Sequence, residues 1–342
     1  MKTRTLLLAP LLCALLSACT APQTLLLRTT PVTAAAPVQI PDVPFFPQEE
    51  HQCGPAALAT MLNFAGKSVT PAALTEKVYV PERKGSFALE MVAAARSEGR
   101  LVYPVAPQME AVLTALDQGY PVLVLQNNGL GIYPVWHFAV VVGADRTQEK
   151  LWLRSGRTER LEMSFSTFER TWARADYWAV LVFDPTRIPD NLDPKPVIRE
   201  LALMEKAGVV SDAQAGFSRA LLNWPAQKTA WLGLAQTSAT LGDVETAESA
   251  LRELVRREPA YGPGLNNLAD FLFQRGRARE ALHFAERAVA VMDVPQTRST
   301  LAAIHTELAT RDKVQIPLRR PSMDMGTGAA APAMILAPSP AP

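Results

Sequence analysis

The feature of this sequence that most restricts its fold is a spacing of 34 residues in the C-terminal half, seen between Pro225 and Pro259. Two series of small residues keep the same spacing: Gly208, Gly242 and Gly276, and Ala213, Ala247 and Ala281. Small residues at a fixed period suit paired helices that must approach closely, with glycine at each turn. Strand signals are missing from the same stretch, so residues 192–312 are predicted to be all-α.

A helix–turn–helix unit of this length resembles the tetratricopeptide repeat. The resemblance implies repeats near 192–225, 226–259 and 260–293, followed by a capping helix at 294–312. It also implies a concave surface that binds a substrate or a partner protein. A generic helical bundle is the alternative interpretation. The composition then becomes rich in proline and alanine, which predicts a disordered tail at 317–342.

The N-terminal half has a mixed pattern between residues 42 and 186. Three apolar segments with helical spacing end at Gly66, Gly99 and Gly119. Short runs rich in Val, Trp and Tyr follow, as is typical of strands: YPVLVLQ, HFAVVVGA, KLWLR and YWAVLVF. A short helix, SFSTFERTW, is expected before the last of them. Helices followed by an antiparallel sheet predict an α+β domain.

The first nineteen residues, MKTRTLLLAPLLCALLSAC, have a positive start and a short apolar run, which indicates a targeting segment. Their end, Leu-Ser-Ala-Cys19, resembles the lipobox of bacterial lipoproteins. The resemblance implies a signal peptide at 1–18 and lipid on Cys19, and Thr20 resembles the signal for sorting to the outer membrane. Residues 19–41 are then a tether, and the domain faces the periplasm. An ordinary secreted protein is the alternative.

Cys53 is then the single free thiol of the predicted folded part. One cysteine forms neither an internal disulfide nor a cysteine metal cluster, and an unpaired thiol in an oxidising compartment is a candidate nucleophile. Gly54 and Pro55 follow it, as at the start of a helix, where the N–H groups favour a thiolate. We therefore expect a thiol pKa below the ordinary value. A buried, inert cysteine is the alternative.

His137 is the candidate base, because it begins a predicted strand 84 residues after Cys53. This arrangement suits the papain-like layout, in which a helix presents the thiol to a sheet that presents the imidazole. His51 lies in the loop just before Cys53 and cannot easily face it, while His283 and His305 lie in the repeats. A histidine of the core is the alternative interpretation of His137.

The stretch VPFFPQEEHQCGPAAL, followed by WHFAVVVGAD, resembles the bacteriocin-processing cysteine peptidases and their papain-like relatives. The resemblance covers residues 42–186 and implies that Cys53 is the nucleophile and His137 the base. It also implies that Gln48 contributes its amide to the oxyanion hole, with Gln52 as the other candidate. Losing one such donor typically costs about 10²–10³ in rate.

The third catalytic position departs from the family pattern. The family has an aspartate on the strand after the histidine, and the matching residue here is Ser155. A hydroxyl can orient His137 through a hydrogen bond but lacks the charge of a carboxylate. Asp145, in the turn before that strand, is the alternative carboxylate.

These observations together predict a lipid-anchored cysteine peptidase that hydrolyses a peptide amide through a Cys53 thioester, without a metal or organic cofactor. The formal net charge of +1 gives no reason to expect a nucleic-acid partner. Two alternatives remain open. One is a non-catalytic adaptor, which the serine at position 155 favours, and the other is an amidase that acts on cell-wall peptides.

Overall fold

The computed structural model describes residues 21–29, 36–48 and 52–315. Several predicted features lie outside the described residues: the signal peptide 1–18, Cys19, His51 and the tail 317–342. The chain divides into two compact units, Met1–Arg257 and Glu258–Pro342. Within the described ranges, no helix combines the length and the apolar character that crossing a bilayer requires.

The first unit is built around an antiparallel sheet. Its strands in the described part of the chain are β1 (Val38–Gln39), β2 (Leu101–Pro104), β3 (Val122–Asn127), β4 (Trp136–Asp145), β5 (Lys150–Ser155), β6 (Thr158–Ser164) and β7 (Ala179–Phe183). They are ordered β2-β7-β3-β4-β5-β6, and β1 pairs with β4. Strands β3, β4 and β7 are buried over nearly their whole length, so both faces of the sheet are covered there.

The helices that accompany the sheet are α1 (Pro22–Thr29), α2 (Cys53–Phe64), α3 (Pro71–Val78), α4 (Ala88–Ser97), α5 (Met109–Asp117) and α6 (Phe165–Ala173). The buried helix α2 packs against β4. Helices α2, α4, α5 and α6 agree with the sequence prediction. The sequence patterns missed α3 and two strands, β2 and β6. The strands were missed because β2 has only four residues and β6 leaves alternate polar residues exposed.

The C-terminal half consists of helices joined in pairs by short turns. In the first unit they are α7 (Pro194–Lys206), α8 (Val210–Asn223), α9 (Lys228–Thr240) and α10 (Val244–Arg257). The second unit contains α11 (Gly262–Gln274), α12 (Ala278–Val291) and α13 (Pro295–Gln315). Gly208, Gly242 and Gly276 lie in the turns with φ of 82°, 78° and 76°, which explains their regular spacing. This confirms the predicted fold class, an α+β domain followed by all-α tetratricopeptide-like repeats.

The first helix pair packs onto the α+β domain, although the sequence suggested a boundary between residues 186 and 192. Helix α7 lies against β2 and α4. Arg96 of α4 and Glu200 of α7 form two hydrogen bonds of 2.8 and 3.0 Å, and Glu200 is 7% exposed. Leu201 and Met204 of the same helix are fully buried. The first repeat is therefore part of the core of the first unit.

The predicted tether at 19–41 also differs from the structure. Residues 22–29 form α1, in which Thr24 is buried, and residues 38–39 form a strand paired with β4. The segment QTLLLRT carries no helix cap that sequence patterns recognise, because its capping group comes from Glu169, a residue distant in the sequence. The described parts of this segment are therefore ordered pieces of the domain.

Candidate active site

Cys53 is the first residue of α2, as the sequence predicted. The next residue, Gly54, lies against Ser86, and a Cβ at position 54 would overlap the Ser86 hydroxyl. The glycine is therefore required by this close approach of two chain segments. The thiol is partly buried at the helix N-terminus.

His137 is the second residue of β4, opposite Gln126 of β3. Its Nε2 lies 2.8 Å from Oγ of Ser155, the last residue of β5. The structure thus places the predicted base and its predicted orienting residue in hydrogen-bond contact. The same bond occupies Nε2, so Nδ1 is the ring nitrogen that Ser155 does not contact.

A cavity of about 810 Å³ brings the predicted residues together. Gln48, Cys53 and His137 all line it. The backbone N–H of Gln48 donates to the carbonyl of Gly156 at 3.0 Å, which fixes this residue beside the end of β5. Gln52 does not line this cavity, and its Oε1 accepts a hydrogen bond from the Thr75 hydroxyl at 3.5 Å. The geometry therefore favours Gln48 for the amide position.

Asp145 serves the turn after β4 and does not contact His137. It is the last residue of β4 and is 4% exposed, and its Oδ1 accepts the backbone N–H of Gln148 at 2.9 Å. It lies eight residue steps along the extended strand from His137, a distance of about 26 Å. Of the two candidates, Ser155 is the one that contacts the imidazole.

The protonation states at this site differ from the sequence expectation. Burial raises the pKa of the Cys53 thiol, although the backbone N–H groups of Phe138 and Gly54 act in the opposite direction. Burial also lowers the pKa of His137. The expected low thiol pKa was wrong because the desolvation of a thiolate outweighs the N–H groups at the helix start. Both shifts favour the neutral thiol and the neutral imidazole over a thiolate–imidazolium pair.

Alkylation of Cys53 by iodoacetamide is expected to have its midpoint above the pKa of a free cysteine, about 8.5. The thiolate is the reactive form, and a raised pKa delays its formation as the pH rises. The rate should be followed by mass spectrometry across pH. His137→Ala should leave the midpoint nearly unchanged, because the imidazole is already neutral over this range. A midpoint below that of free cysteine would show that a thiolate–imidazolium pair forms at rest.

An exposed apolar loop reaches the same cavity through Val135 and Trp136, and sequence reasoning missed it. Its side chains are large and more than half exposed: Leu130 (66%), Ile132 (79%), Tyr133 (77%), Val135 (59%) and Trp136 (52%). We call these five residues the apolar loop. The available signal for an exposed apolar segment was the run LGIYPVW. Its large apolar residues surround a glycine and a proline, which disfavour a buried strand.

The apolar loop is held in place by buried polar contacts. Oδ1 of Asn127, which is 2% exposed, accepts the backbone N–H groups of Gly129 and Val135, both at 2.9 Å. Arg174 donates to the carbonyl of Asn127 at 3.0 Å. A Cβ at Gly129 would collide with the Tyr133 carbonyl. The exposed apolar side chains are therefore presented on a fixed scaffold.

Arg83 and Lys84 also line this cavity, together with Phe87. The cleft at Cys53 thus combines the apolar loop with two basic residues. Among the described residues, no cluster of histidine, cysteine, aspartate or glutamate is arranged to hold a metal ion.

Comparison with known proteins identifies a family similar to the N-terminal domain. Residues 40–180 match the family model described as the Peptidase_C39 like family, which confirms the predicted family resemblance for this domain. A search of curated proteins finds no match. A C39-like peptidase structure from Bacillus anthracis is 18% identical, with a TM-score of 0.37, and the alignment covers 43% of this chain and 98% of that one.

Two solved repeat proteins are also similar to this chain. A TPR protein of Thermus thermophilus is 20% identical, with a TM-score of 0.33 and coverage of 46% of this chain and 82% of that one. YrrB, a TPR protein with an unusual peptide-binding site, is 19% identical, with a TM-score of 0.32 and coverage of 35% and 63%.

Proposed function

We propose that this chain, which carries a Peptidase_C39-like domain at residues 40–180, is a cysteine peptidase that hydrolyses a peptide amide. The observation that carries the proposal is the meeting of Gln48, Cys53 and His137 in one cavity, with Ser155 hydrogen-bonded to the far nitrogen of the imidazole. A nucleophile, a base and an orienting group are the parts that acyl transfer requires.

In the proposed reaction, Nδ1 of His137 accepts the proton of Cys53 as the sulfur attacks the substrate carbonyl. The carbonyl oxygen becomes an oxyanion, which the Gln48 amide and the Cys53 backbone N–H stabilise. The C–N bond then breaks, the amine leaves with the proton from His137, and a thioester remains on Cys53. Water, deprotonated by His137, releases the acid and restores the thiol.

Ser155 fixes the tautomer of His137 less strictly than a carboxylate would. A carboxylate only accepts a hydrogen bond and therefore imposes the tautomer with a proton on Nε2. A hydroxyl can also donate to Nε2, and His137 then carries its proton on Nδ1 and cannot accept the thiol proton. This observation favours the second candidate function, a peptidase-like adaptor with little or no turnover.

The apolar loop supports a polypeptide substrate over a cell-wall peptide. Two residues of the apolar loop, Val135 and Trp136, line the cavity together with Cys53. With the other exposed side chains of the loop on the same scaffold, they are suited to bury apolar side chains of a bound segment. Cell-wall stem peptides carry small and polar residues that would leave this surface uncovered. The proposed substrate is an extended polypeptide with a large apolar side chain close to the scissile bond.

Incubation with a library of peptides from a digested proteome is expected to give cleavages with large apolar residues near the new termini. Trp136→Ala, at a residue that lines the cavity with Cys53, should lower kcat/KM for these peptides about tenfold, through the loss of roughly 1.4 kcal/mol of apolar contact. New termini would be identified by mass spectrometry.

Leu222→Ala is the matched control for the library experiment, since Leu222 on α8 is, like Trp136, a large apolar side chain more than half exposed (75% and 52%). It should leave the cleavage rate unchanged. Cleavage of isolated cell-wall stem peptides, with no cleavage in the polypeptide library, would reject the proposed substrate in favour of the amidase alternative.

The proposed setting of this activity is the periplasmic face of the outer membrane, with lipid on Cys19. The lipobox resemblance supports the anchor, and Thr20 supports the choice of membrane. The helix pairs of the repeats are proposed to bind the substrate or a partner protein, because repeats of this kind serve as binding surfaces.

A further inference from the structure

We propose that the face of the first unit that carries α1 rests on the bilayer surface, with Leu25 and Leu26 in contact with lipid. The inference depends on the proposed lipidation of Cys19 and adds an orientation of the domain to it. It follows from the short distance between the anchor and a helix that is firmly attached to the domain.

The N-terminus of α1 is attached through a buried carboxylate. Glu169 of α6 is 1% exposed and accepts the backbone N–H groups of Gln23 and Thr24 at 2.8 and 2.7 Å. It also accepts the Thr24 hydroxyl at 2.6 Å. These bonds satisfy N–H groups that the first turn of a helix leaves unpaired, and they balance a buried charge.

Further contacts hold α1 along its length. The side-chain amide of Gln23 donates to the carbonyl of Pro107 at 3.1 Å and accepts the N–H of Met109 at 2.6 Å. Arg28, near the other end, forms two hydrogen bonds to Glu149, of 2.6 and 2.7 Å. The helix is thus fixed to α6, to α5 and to the turn after β4.

The chain between the proposed anchor and α1 is very short. Ala21 is buried and lies two positions after Cys19. Two Cα–Cα steps span at most about 8 Å, whereas a flexible tether of about 20 residues would separate its ends by roughly 25 Å. A diacylated residue that enters the bilayer therefore brings the surface around α1 down to the level of the lipid headgroups.

The outer side of α1 suits this environment. Leu25 is 52% exposed and Leu26 is 66% exposed, on a helix whose one arginine is paired with Glu149. Apolar side chains on a surface helix enter the boundary between headgroups and acyl chains. The nearby anchor makes this contact intramolecular in effect, so even two leucines suffice to orient the domain.

The test uses an environment-sensitive dye on Leu25→Cys, in full-length lipidated protein that carries Cys53→Ala. Lipid occupies Cys19, so the introduced cysteine is the single reactive thiol of the mature chain. The matched control is Leu222→Cys, on an exposed position of α8. Both proteins are reconstituted in vesicles of phosphatidylethanolamine and phosphatidylglycerol, with and without brominated lipid as a quencher.

The expected result is a blue-shifted emission at position 25 and quenching by brominated lipid several-fold stronger than at position 222. A Cys19→Ser version of the labelled protein should show neither effect. Equal quenching at the two positions in the lipidated protein would overturn the proposed orientation while leaving the anchor intact.

Two other outcomes also count against the inference. A blue-shifted emission at position 25 in the Cys19→Ser protein without vesicles would show that a second protein copy covers these leucines. Mass spectrometry that finds no lipid on Cys19 would reject the anchor itself, and with it the orientation. Hydrolysis by Cys53 is measured separately and does not depend on either result.

Discussion

Replacing Cys53 by alanine is expected to reduce amide hydrolysis by a factor on the order of 10⁴ or more, below detection in most assays. The proposed reaction passes through a thioester on this sulfur, and alanine has no group that can form one. The substitution removes one atom at a partly buried position, so folding should be unchanged. The measurement is the cleavage rate of a peptide identified in the library experiment, with circular dichroism as the check of folding.

Variants of Ser155 provide the graded control at the same site. Ser155→Ala removes one neutral hydrogen bond to His137, worth about 0.5–1.5 kcal/mol, so activity should fall about tenfold and remain measurable. Ser155→Asp supplies a stronger, charge-assisted bond that imposes the reactive tautomer, and activity should be kept or increased. Addition of Cys53→Ala to either variant should abolish turnover.

The adaptor alternative predicts that Cys53→Ala does not change the cellular phenotype. If cells that produce the Cys53→Ala protein retain the wild-type phenotype, the domain acts as a scaffold and the proposed peptidase function is wrong. Loss of the phenotype in Cys53→Ala, together with its retention in Ser155→Asp, would support the peptidase.

Replacing Glu200 by alanine is expected to lower the free energy of unfolding of the first unit by about 3 kcal/mol. The substitution removes two hydrogen bonds and leaves the Arg96 guanidinium, whose side chain is 18% exposed, without its carboxylate. For a unit of this size the loss corresponds to a fall in Tm of roughly 6–12 °C. Differential scanning calorimetry of the full-length protein is the measurement.

Glu110→Ala is the matched control, because Glu110 also forms two hydrogen bonds to one arginine, Arg146, but its side chain is 56% exposed. Arg146 also keeps a second carboxylate, Asp117, at 2.8 Å, and an exposed carboxylate such as Glu110 contributes at most about 1 kcal/mol, so Tm should change little. Similar small shifts in both variants would mean that the Arg96–Glu200 pair does not stabilise the contact between the first repeat and the α+β domain.

Much of the candidate site could be predicted from the sequence because its signals are local. The position of Cys53 at the start of a helix follows from the glycine and proline after it and from the apolar spacing that continues to Phe64. The 34-residue period predicted the helix pairs because each turn needs its own glycine in a left-handed conformation. The strand that His137 begins indicated the candidate base, and resemblance to a family then indicated Gln48 and Ser155.

The tertiary structure alone decided which of these residues meet and in what state. Of the two candidate amides, the structure places Gln48 and not Gln52 in the cavity with Cys53. Of the two candidate orienting residues, it places Ser155 and not Asp145 in contact with His137. The thiol pKa is raised because burial depends on the packing around α2, which no local pattern records. Helix α1 and the first repeat belong to the α+β domain through Glu169 and the Arg96–Glu200 pair, whose partners lie more than a hundred positions apart. Sequence patterns report short-range preferences, whereas contacts of this range exist only after the chain has closed on itself.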